Sequence, residues 1–165
     1  MNKNFLLKSF FKLSILISFV FFSFQSVLAS DFKTKIKELI FPKESQLPSA
    51  KGELKTRGIS RGPGIKVLSP DVSVSEVKAE IKTPFDLKVA FEPRGGVKID
   101  PNSVKVTYLK FPYVDLTDRL KPGISENGID FPKANVPSGE HSVRINVKDV
   151  DGRESSLVVT LVAVK

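Results

Sequence analysis

Few side chains in this sequence could carry out catalysis. The chain has no cysteine and a single histidine, His141. A hydrolytic triad needs a nucleophile, a base and an orienting acid that meet in space, and no serine lies in a nucleophile-elbow pattern. His141 shares the inward face of a predicted strand with Val143 and Ile145, where a histidine more often serves structure than catalysis. The sequence therefore predicts a protein that is not an enzyme and that uses no cofactor.

Aspartates in predicted turns are the second group with possible chemistry, because carboxylate oxygens are ligands for calcium. The candidates are Asp149 and Asp151, which share one turn, and Asp100, Asp115 and Asp118, which lie in other loops. Calcium needs six or more oxygens, which must come from more than one segment. Aspartate also serves turn geometry without any ion. We interpret these residues as turn formers first and as weak calcium candidates second.

The element that must position His141 and the aspartates is a C-terminal β-hairpin over residues 139–164. Its first arm alternates, with one face formed by His141, Val143, Ile145 and Val147 and the other by Ser142, Arg144, Asn146 and Lys148. The turn contains Asp151-Gly152, two residues that tolerate the positive φ of a tight turn. Since a lone hairpin cannot bury two apolar surfaces, the rest of the chain must supply a second sheet.

The last arm of this hairpin is apolar on both faces. Leu157, Val159, Leu161 and Ala163 lie on one face, and Val158, Val162 and Val164 lie on the other. Two interpretations are open for the second face. A bulge could switch its phase so that loops cover it, or the three valines could form an edge that packs against a partner or a second copy.

Short alternating segments separated by turn residues fill the chain from residue 65 onward. We predict strands over 65–69, 83–91 and 103–110, a turn cluster over 99–103 and a loop or single helical turn over 115–123. One further strand follows Asn127, and Pro132 and Pro137 mark it as irregular or as a sheet edge. About seven short strands with almost no helix predict an all-β fold, a β-sandwich.

The N-terminal residues carry an export signal. Residues 1–29 combine a basic start, an apolar run and a small residue at Ala29, which is typical of a cleaved secretory signal peptide; an uncleaved membrane anchor is the alternative. The absence of cysteine excludes lipidation at the cleavage site and any disulfide. The sequence thus predicts a periplasmic or secreted protein that is not lipidated.

Residues 30–64 are predicted to be a linker. Within them, residues 31–41 place Phe32, Ile36 and Leu39 at helical spacing, so a short amphipathic helix could form and touch a membrane surface. Polar residues, prolines and glycines follow as far as Gly64. Residues 65–165 carry 15 basic and 14 acidic side chains, so the domain lacks the clustered basic face of a nucleic-acid binder.

The hairpin carries a family resemblance. Gly139, His141, Val143, Ile145, Val147, Asp149 and Gly152 fall at the spacing G-x-Y-x-V-x-V-x-V-x-D-x-x-G, which resembles the last strand pair of bacterial immunoglobulin-like domains. Residues 91–100 and 104–108 resemble the middle strands of the same family. Two positions depart from the pattern, since His141 replaces a tyrosine and Arg153 replaces an asparagine.

This resemblance implies an immunoglobulin-like sandwich over 65–165, in which Gly139, His141, Asp149 and Gly152 are structural residues. It implies little about activity, because such sandwiches host unrelated functions. We expect an exported binding module that recognises a protein or glycan in the cell envelope. The alternative is a structural accessory that spaces an envelope assembly and has no ligand of its own.

Overall fold

Alternating apolar residues build two β-sheets in the computed structural model, which describes residues 36–50, 61–71 and 78–164. The strands in these ranges are β1 (Lys37–Glu38), β2 (Gly64–Ser69), β3 (Lys78–Lys82), β4 (Phe85–Glu92), β5 (Ile99–Tyr108), β6 (Val114–Asp115), β7 (Ile124–Ser125), β8 (Gly128–Asn135), β9 (Gly139–Asp149) and β10 (Glu154–Val164). Two single-turn helices accompany them, α1 (Pro42–Ser45) and α2 (Thr117–Leu120), and a 3-10 turn covers Lys121–Gly123. Within the described ranges, no helix has the length and hydrophobicity needed to cross a membrane.

The strands divide between two sheets of five. One sheet has the order β1-β8-β4-β2, with β7 paired to β8, and the other has the order β3-β10-β9-β5-β6. The predicted hairpin is β9–β10, which pairs without a register shift from Glu154 to Ala163. The all-β class and the two-sheet sandwich that the alternation predicted are therefore confirmed.

The inward faces of both sheets form one apolar core. In β9 the buried residues recur at every second position, as period-two alternation requires. Buried apolar side chains from the two sheets include Leu87, Val89, Phe91, Ile129, Phe131, Val104, Val106, Val143, Ile145, Val147, Val159 and Leu161. The opposite positions of β9 and β10 face outward, and they supply the surface described below.

The N-terminal segment differs from the predicted linker and helix. Within residues 31–41, Lys37 and Glu38 form β1, which pairs in parallel with Ala134 and Asn135 of β8. Leu39 and Ile40 follow with 1% and 0% exposure. Filling the core removes more apolar surface from water than one face of a short helix would, and helices this short are marginal in water.

Polar contacts fasten the same segment to the sandwich. Arg119 of α2 pairs with the Glu44 carboxylate through both terminal nitrogens, and its Nη1 also donates to the carbonyl oxygen of Leu39 at 2.8 Å. The guanidinium lies over the Phe41 ring, 4.4 Å from its centroid. Residues 37–50 are thus part of the folded unit, which corrects the linker prediction for this range. The predicted signal peptide over 1–29 and residues 30–35 and 51–60 lie outside the described residues.

Two further predictions about the strands need correction. β5 begins at Ile99 and runs through the predicted turn at 99–103, with a register shift between Asp100 and Lys105. At this shift the Ser103 hydroxyl accepts a hydrogen bond from the Lys148 amide at 2.8 Å, so a side chain replaces a ladder bond. β8 is not a sheet edge, since β4 lies on one side of it and β1 and β7 lie on the other. It is irregular, however, with Lys133 at a positive φ of 54°.

Candidate functional site

His141 is enclosed in the core and uses both ring nitrogens. It is 2% exposed. Its Nε2 lies 2.8 Å from the Pro137 carbonyl oxygen, and its Nδ1 lies 2.8 Å from the Tyr108 hydroxyl. Because a carbonyl oxygen only accepts, Nε2 carries the proton and Nδ1 accepts from Tyr108. Burial lowers the pKa of His141, so the ring stays neutral and structural in this position.

The two aspartates of the β9–β10 turn are held by an arginine. Asp149 Oδ2 accepts from Arg153 Nε at 2.7 Å, and Asp149 Oδ1 accepts from the amides of Asp151 and Arg153 at 3.1 and 2.9 Å. Arg153 Nη2 also reaches Asp151 Oδ2 at 3.1 Å. Arg153 was noted in the sequence only as a departure from the family pattern. Its guanidinium offsets one of the two negative charges of this pair of calcium candidates.

The remaining calcium candidates serve their own turns. Asp100 Oδ1 accepts from the Asn102 amide at 3.0 Å, and Asp115 Oδ1 accepts from the Thr117 amide at 2.9 Å. Asp118 pairs with Lys121 at 3.8 Å on the surface. Among the residues that the structure describes, no three acidic, histidine or cysteine side chains come together in a way that could hold a metal ion. Turn geometry accounts for these positions.

The valines of β10 lie in a strand that is paired on both sides over part of its length. β9 pairs with β10 from Glu154 to Ala163, whereas β3 pairs with it from Thr160 to Val164, a range that includes Val162 and Val164 and leaves out Val158. Its register with β9 shows no shift, which excludes the phase-switching bulge along that pairing. Val158 and Val162 are half-buried on the outer face and Val164 is exposed. The three valines lie along the outer face of β10, and packing of this face against a partner or a second copy stays a prediction.

The described surface carries a groove on the outer face of the second sheet, away from the core. We call it the outer groove, and its volume is about 510 Å³. Its lining residues come from β5, β6, β9, β10 and the β5–β6 loop: Ser103, Lys105, Thr107, Tyr113, Asp115, Arg144, Asn146, Lys148 and Glu154. All but Tyr113, which lies in the loop, are outward positions of strands whose alternate residues fill the core.

Strand register arranges these side chains in rows across the sheet. Asp115, Thr107 and Arg144 are consecutive partners from β6 to β9. Lys105 lies opposite Asn146, and Lys148 lies opposite Glu154. Because side chains two residues apart on a strand are about 7 Å apart, Arg144, Asn146 and Lys148 form a file along the middle of the groove.

The charged groups of the outer groove are three cations and two carboxylates. Glu154 Oε1 accepts from Asn146 Nδ2 at 2.7 Å, and its other oxygen lies 3.5 Å from Lys148 Nζ. Hydrogen bonds from Thr117, with a smaller contribution from the charge of Lys105, lower the pKa of Asp115. Glu154 and Asp115 thus engage neighbouring side chains and amides at opposite sides of the groove.

An aromatic loop borders the outer groove. Phe111 and Tyr113 lie in the short connection between β5 and β6, and they are 70% and 55% exposed. The N-terminal segment supports this loop, since the Phe111 amide donates to the Pro48 carbonyl oxygen at 2.8 Å and Ser49 bridges to Lys110. The segment expected to be a linker therefore helps to place two exposed aromatic rings.

Sequence reasoning identified the outward face of β9 but did not predict a groove there. The alternation gives no information on whether a polar sheet face is flat or concave. The lining of the groove includes Asp115 of the two-residue β6 and Tyr113 of the loop before it, neither of which has a strong sequence signal.

No protein-family model matches the chain, and no curated protein is similar to it at a significant level. Among solved structures, the chain is similar to an engineered protein whose crystal structure was determined at 1.98 Å resolution. The TM-score is 0.39 with 14% sequence identity, over 62% of this chain and 20% of that protein. We draw no argument from this likeness, and the chain spans only a fifth of that protein's length. The architecture therefore follows from the strands themselves, a β-sandwich of two sheets.

Proposed function

We propose that this protein is an exported, non-catalytic binding module that holds a protein or glycan of the cell envelope in the outer groove. The observation that carries the proposal is the groove itself, which combines cations, hydrogen-bonding side chains and an exposed aromatic loop on one sheet face. Binding sites commonly combine a few placed polar groups with aromatic surface. The outer groove offers both, whereas His141 and the turn aspartates are occupied within the fold.

The strand order supports an immunoglobulin-like sandwich. In that fold one sheet has the order A-B-E-D and the other contains C-F-G. Both orders are reproduced here if β2, β4 and β8 correspond to strands A, B and E. In the other sheet, β5, β9 and β10 then correspond to strands C, F and G. In this scheme β1 occupies the position of strand D, although it comes from the N-terminal end of the chain. The resemblance in the hairpin is consistent with this assignment.

The sequence supports export. Residues 1–29 have the three-part pattern of a secretory signal peptide, and the chain contains no cysteine. We therefore assign the mature protein to the periplasm or the extracellular space, without a lipid anchor. Western blotting of fractionated cells would test this assignment, since an intact product confined to the cytosol would contradict it.

The binding proposal is tested by capture from envelope extracts. Immobilised full-length mature protein is compared with a Lys105→Ala/Arg144→Ala variant and with Lys88→Ala, which removes a cation from the exposed face of the other sheet. We expect one component to be retained by the mature protein and by Lys88→Ala and to be lost with the double variant. Equal retention by all three proteins would contradict a role for the outer groove.

The second candidate function is a structural accessory that spaces an envelope assembly without a ligand. Residues 30–35 precede the folded unit in sequence and include Lys33 and Lys35, and in this second candidate function they form the attachment. Deleting residues 30–35 separates the two functions. Loss of capture on this deletion, with full capture by the Lys105→Ala/Arg144→Ala variant, would favour the accessory.

A further inference from the structure

We infer that one end of the sandwich docks on a lipid bilayer and places exposed apolar side chains in the membrane interface. We call it the apolar end, and it consists of the β3–β4, β5–β6 and β8–β9 connections, the last residue of β10 and residues 36–50. The inference goes beyond the proposed function, because it concerns an end of the sandwich and not the outer groove on the sheet face.

Strand pairing brings the segments of the apolar end together. The start of β4 lies opposite the end of β8, and the start of β9 lies opposite the end of β10. Only residues 136–138 separate β8 from β9. β3 ends beside the end of β10, β5 runs towards the start of β9, and β1 pairs with the last two residues of β8. The connections at these strand termini therefore share one end of the molecule.

Exposed apolar side chains are concentrated at this end. In the part of the chain that the structure describes, seven large apolar residues are exposed. Leu68 lies on β2, and Val150 lies in the β9–β10 turn at the opposite end. The other five belong to the apolar end and are 40% to 70% exposed: Ile36, Phe41, Phe111, Tyr113 and Val164. Single apolar residues are normal on a surface, whereas a concentration of them indicates an interaction site.

Phe111 is the most exposed of these residues, and its backbone is fixed. The Phe111 amide donates to the Pro48 carbonyl oxygen at 2.8 Å, and Ser49 bridges to Lys110. The ring is thus held in water by a loop that the N-terminal segment supports. A side chain that is placed in advance loses little conformational freedom on binding. Aromatic side chains are also the residues that membrane interfaces favour.

The N-terminal part of the chain leads to the same end. Ile36 directly precedes β1, so residues 30–35 join the folded unit there in sequence, and they add Phe32 to its apolar residues. If residues 1–29 stay in the membrane as the alternative anchor, residues 29–35 span at most about 25 Å. That anchor would hold the apolar end within this distance of the bilayer.

A bilayer suits the apolar end better than a protein surface does. The five exposed residues lie on three separate segments, and fluid lipid accommodates such a set, whereas a protein partner needs a complementary shape. The exposed charges at this end are mixed: Lys43, Lys82, Asp86 and Glu140. Attachment should therefore depend on burial of apolar surface and not on anionic headgroups.

The first test uses the absence of tryptophan from the chain. Phe111→Trp and Val150→Trp each give the mature protein a single fluorophore, the first at the apolar end and the second at the opposite end. Vesicles of phosphatidylcholine, with and without phosphatidylglycerol, are then added. We expect the emission of Phe111→Trp to shift to the blue and to be quenched by brominated lipid with both kinds of vesicle. The emission of Val150→Trp should not change.

Vesicle co-sedimentation measures the contribution of one ring. Phe111→Ser should weaken binding roughly tenfold or more, because a large apolar side chain no longer leaves water. Phe111→Leu keeps an apolar side chain and should retain most of the binding. Val150→Ser and the groove variant Lys105→Ala/Arg144→Ala should bind vesicles as the unchanged protein does. Thermal melting of each variant ensures that a loss of binding is not a loss of folding.

Four results would overturn the inference. These are no binding at millimolar lipid, equal spectral shifts at the two ends, loss of vesicle binding in the groove variant, and binding that requires phosphatidylglycerol and disappears in high salt. If vesicles are not bound but Phe111→Ser abolishes capture of an envelope protein, the apolar end binds a protein and the membrane inference falls. Capture that still depends on the outer groove would leave the proposed function standing in each case.

Discussion

The two faces of β9 share one backbone but lie in different environments, one in the core and one at the surface. On the inward face, His141, Val143, Ile145 and Val147 are buried, and their contacts lie within the fold. On the outward face, Arg144, Asn146 and Lys148 line the outer groove. Because side chains alternate strictly along a strand, one set of residues holds the two sheets together and the other set faces outward, where Asn146 and Lys148 contact Glu154.

This difference means that the residues that stabilise the fold are distinct from the residues that line the outer groove. The inward positions tolerate little change because any loss leaves a cavity or an unpaired polar atom. At the outward positions, the choice of residue is limited by the solubility of the protein and by the ligand of the groove. The experiments below compare an inward or partly buried residue with an outward one, beginning with the largest expected effect.

The largest contrast should lie between neighbours on β9. Ile145→Ala removes a buried side chain and should lower the free energy of unfolding by about 2–5 kcal/mol. Arg144→Ala removes an outward one and should change it by less than about 0.5 kcal/mol. Urea denaturation followed by circular dichroism measures both. A loss above about 2 kcal/mol for Arg144→Ala would show that the groove arginine is a structural residue.

A smaller effect should follow from removing one hydroxyl. Tyr108→Phe leaves the Nδ1 atom of His141 without its 2.8 Å partner, and an unsatisfied buried acceptor costs about 1–3 kcal/mol. Tyr113→Phe is the matched change on the exposed loop, where water can replace any partner of the hydroxyl, and should cost less than about 0.5 kcal/mol. Equal losses for the two tyrosines, measured by thermal melting, would contradict the contrast.

Two ion pairs extend the comparison beyond β9. The Glu44–Arg119 pair has side chains 18% and 25% exposed, whereas the Asp118–Lys121 pair has side chains 95% and 76% exposed. Glu44→Gln should lower the free energy of unfolding by about 1–2 kcal/mol, because charge-assisted hydrogen bonds are lost. Asp118→Asn should have almost no effect, as is common for surface pairs. Urea titrations at low and high salt would check both values.

The buried histidine should give stability a dependence on pH. Its pKa is lowered by burial, while in the unfolded chain the ring titrates near its ordinary value of about 6.5. The unfolded state therefore binds more protons as pH falls below about 6.5, and stability should decrease from pH 7 towards the lower folded pKa. His141→Gln should flatten the melting temperature over this range. An NMR-measured pKa of His141 above 6.5 would contradict the expectation.

The smallest expected effect concerns metal ions. Adding a chelator should leave the melting temperature unchanged, because Arg153 already bonds Asp149 and Asp151 and offsets one of their two negative charges. A calcium ion present at a hundred times its dissociation constant would add about 2.7 kcal/mol. Chelation would then lower the melting temperature by roughly ten degrees for a domain of this size. Differential scanning calorimetry distinguishes these outcomes readily.

Local pattern predicted the sandwich because alternation reports directly on which side of a strand is buried. It located β4, β9 and β10 closely and placed His141 inward. It failed at 99–103, where Pro101 and Asn102 favour a turn in isolation. In the structure these residues continue β5 through a register shift, and the Ser103 hydroxyl accepts a hydrogen bond there from the neighbouring strand β9. A local sequence pattern contains no information about a neighbouring strand.

The site was less accessible to prediction than the fold. The hydrogen bond between Tyr108 and His141 joins residues 33 positions apart, and the pair between Glu44 and Arg119 joins residues 75 apart. No spacing rule connects such positions. The groove needs the same long-range information, because its lining residues come from four strands and one loop. Residue types indicated which side chains could bind a ligand, but only the assembled sheets showed where they converge.

The strand contributed by Lys37 and Glu38 has a practical consequence for producing the protein. The composition of the sequence predicts that the domain begins near Gly64. An expressed fragment that begins there would lack the buried residues Leu39 and Ile40. The core beside β8 would then lose two buried side chains, and the truncated protein would expose apolar surface and tend to aggregate. Recombinant work should therefore begin at or before Ile36, and a purification handle is better attached at the opposite terminus.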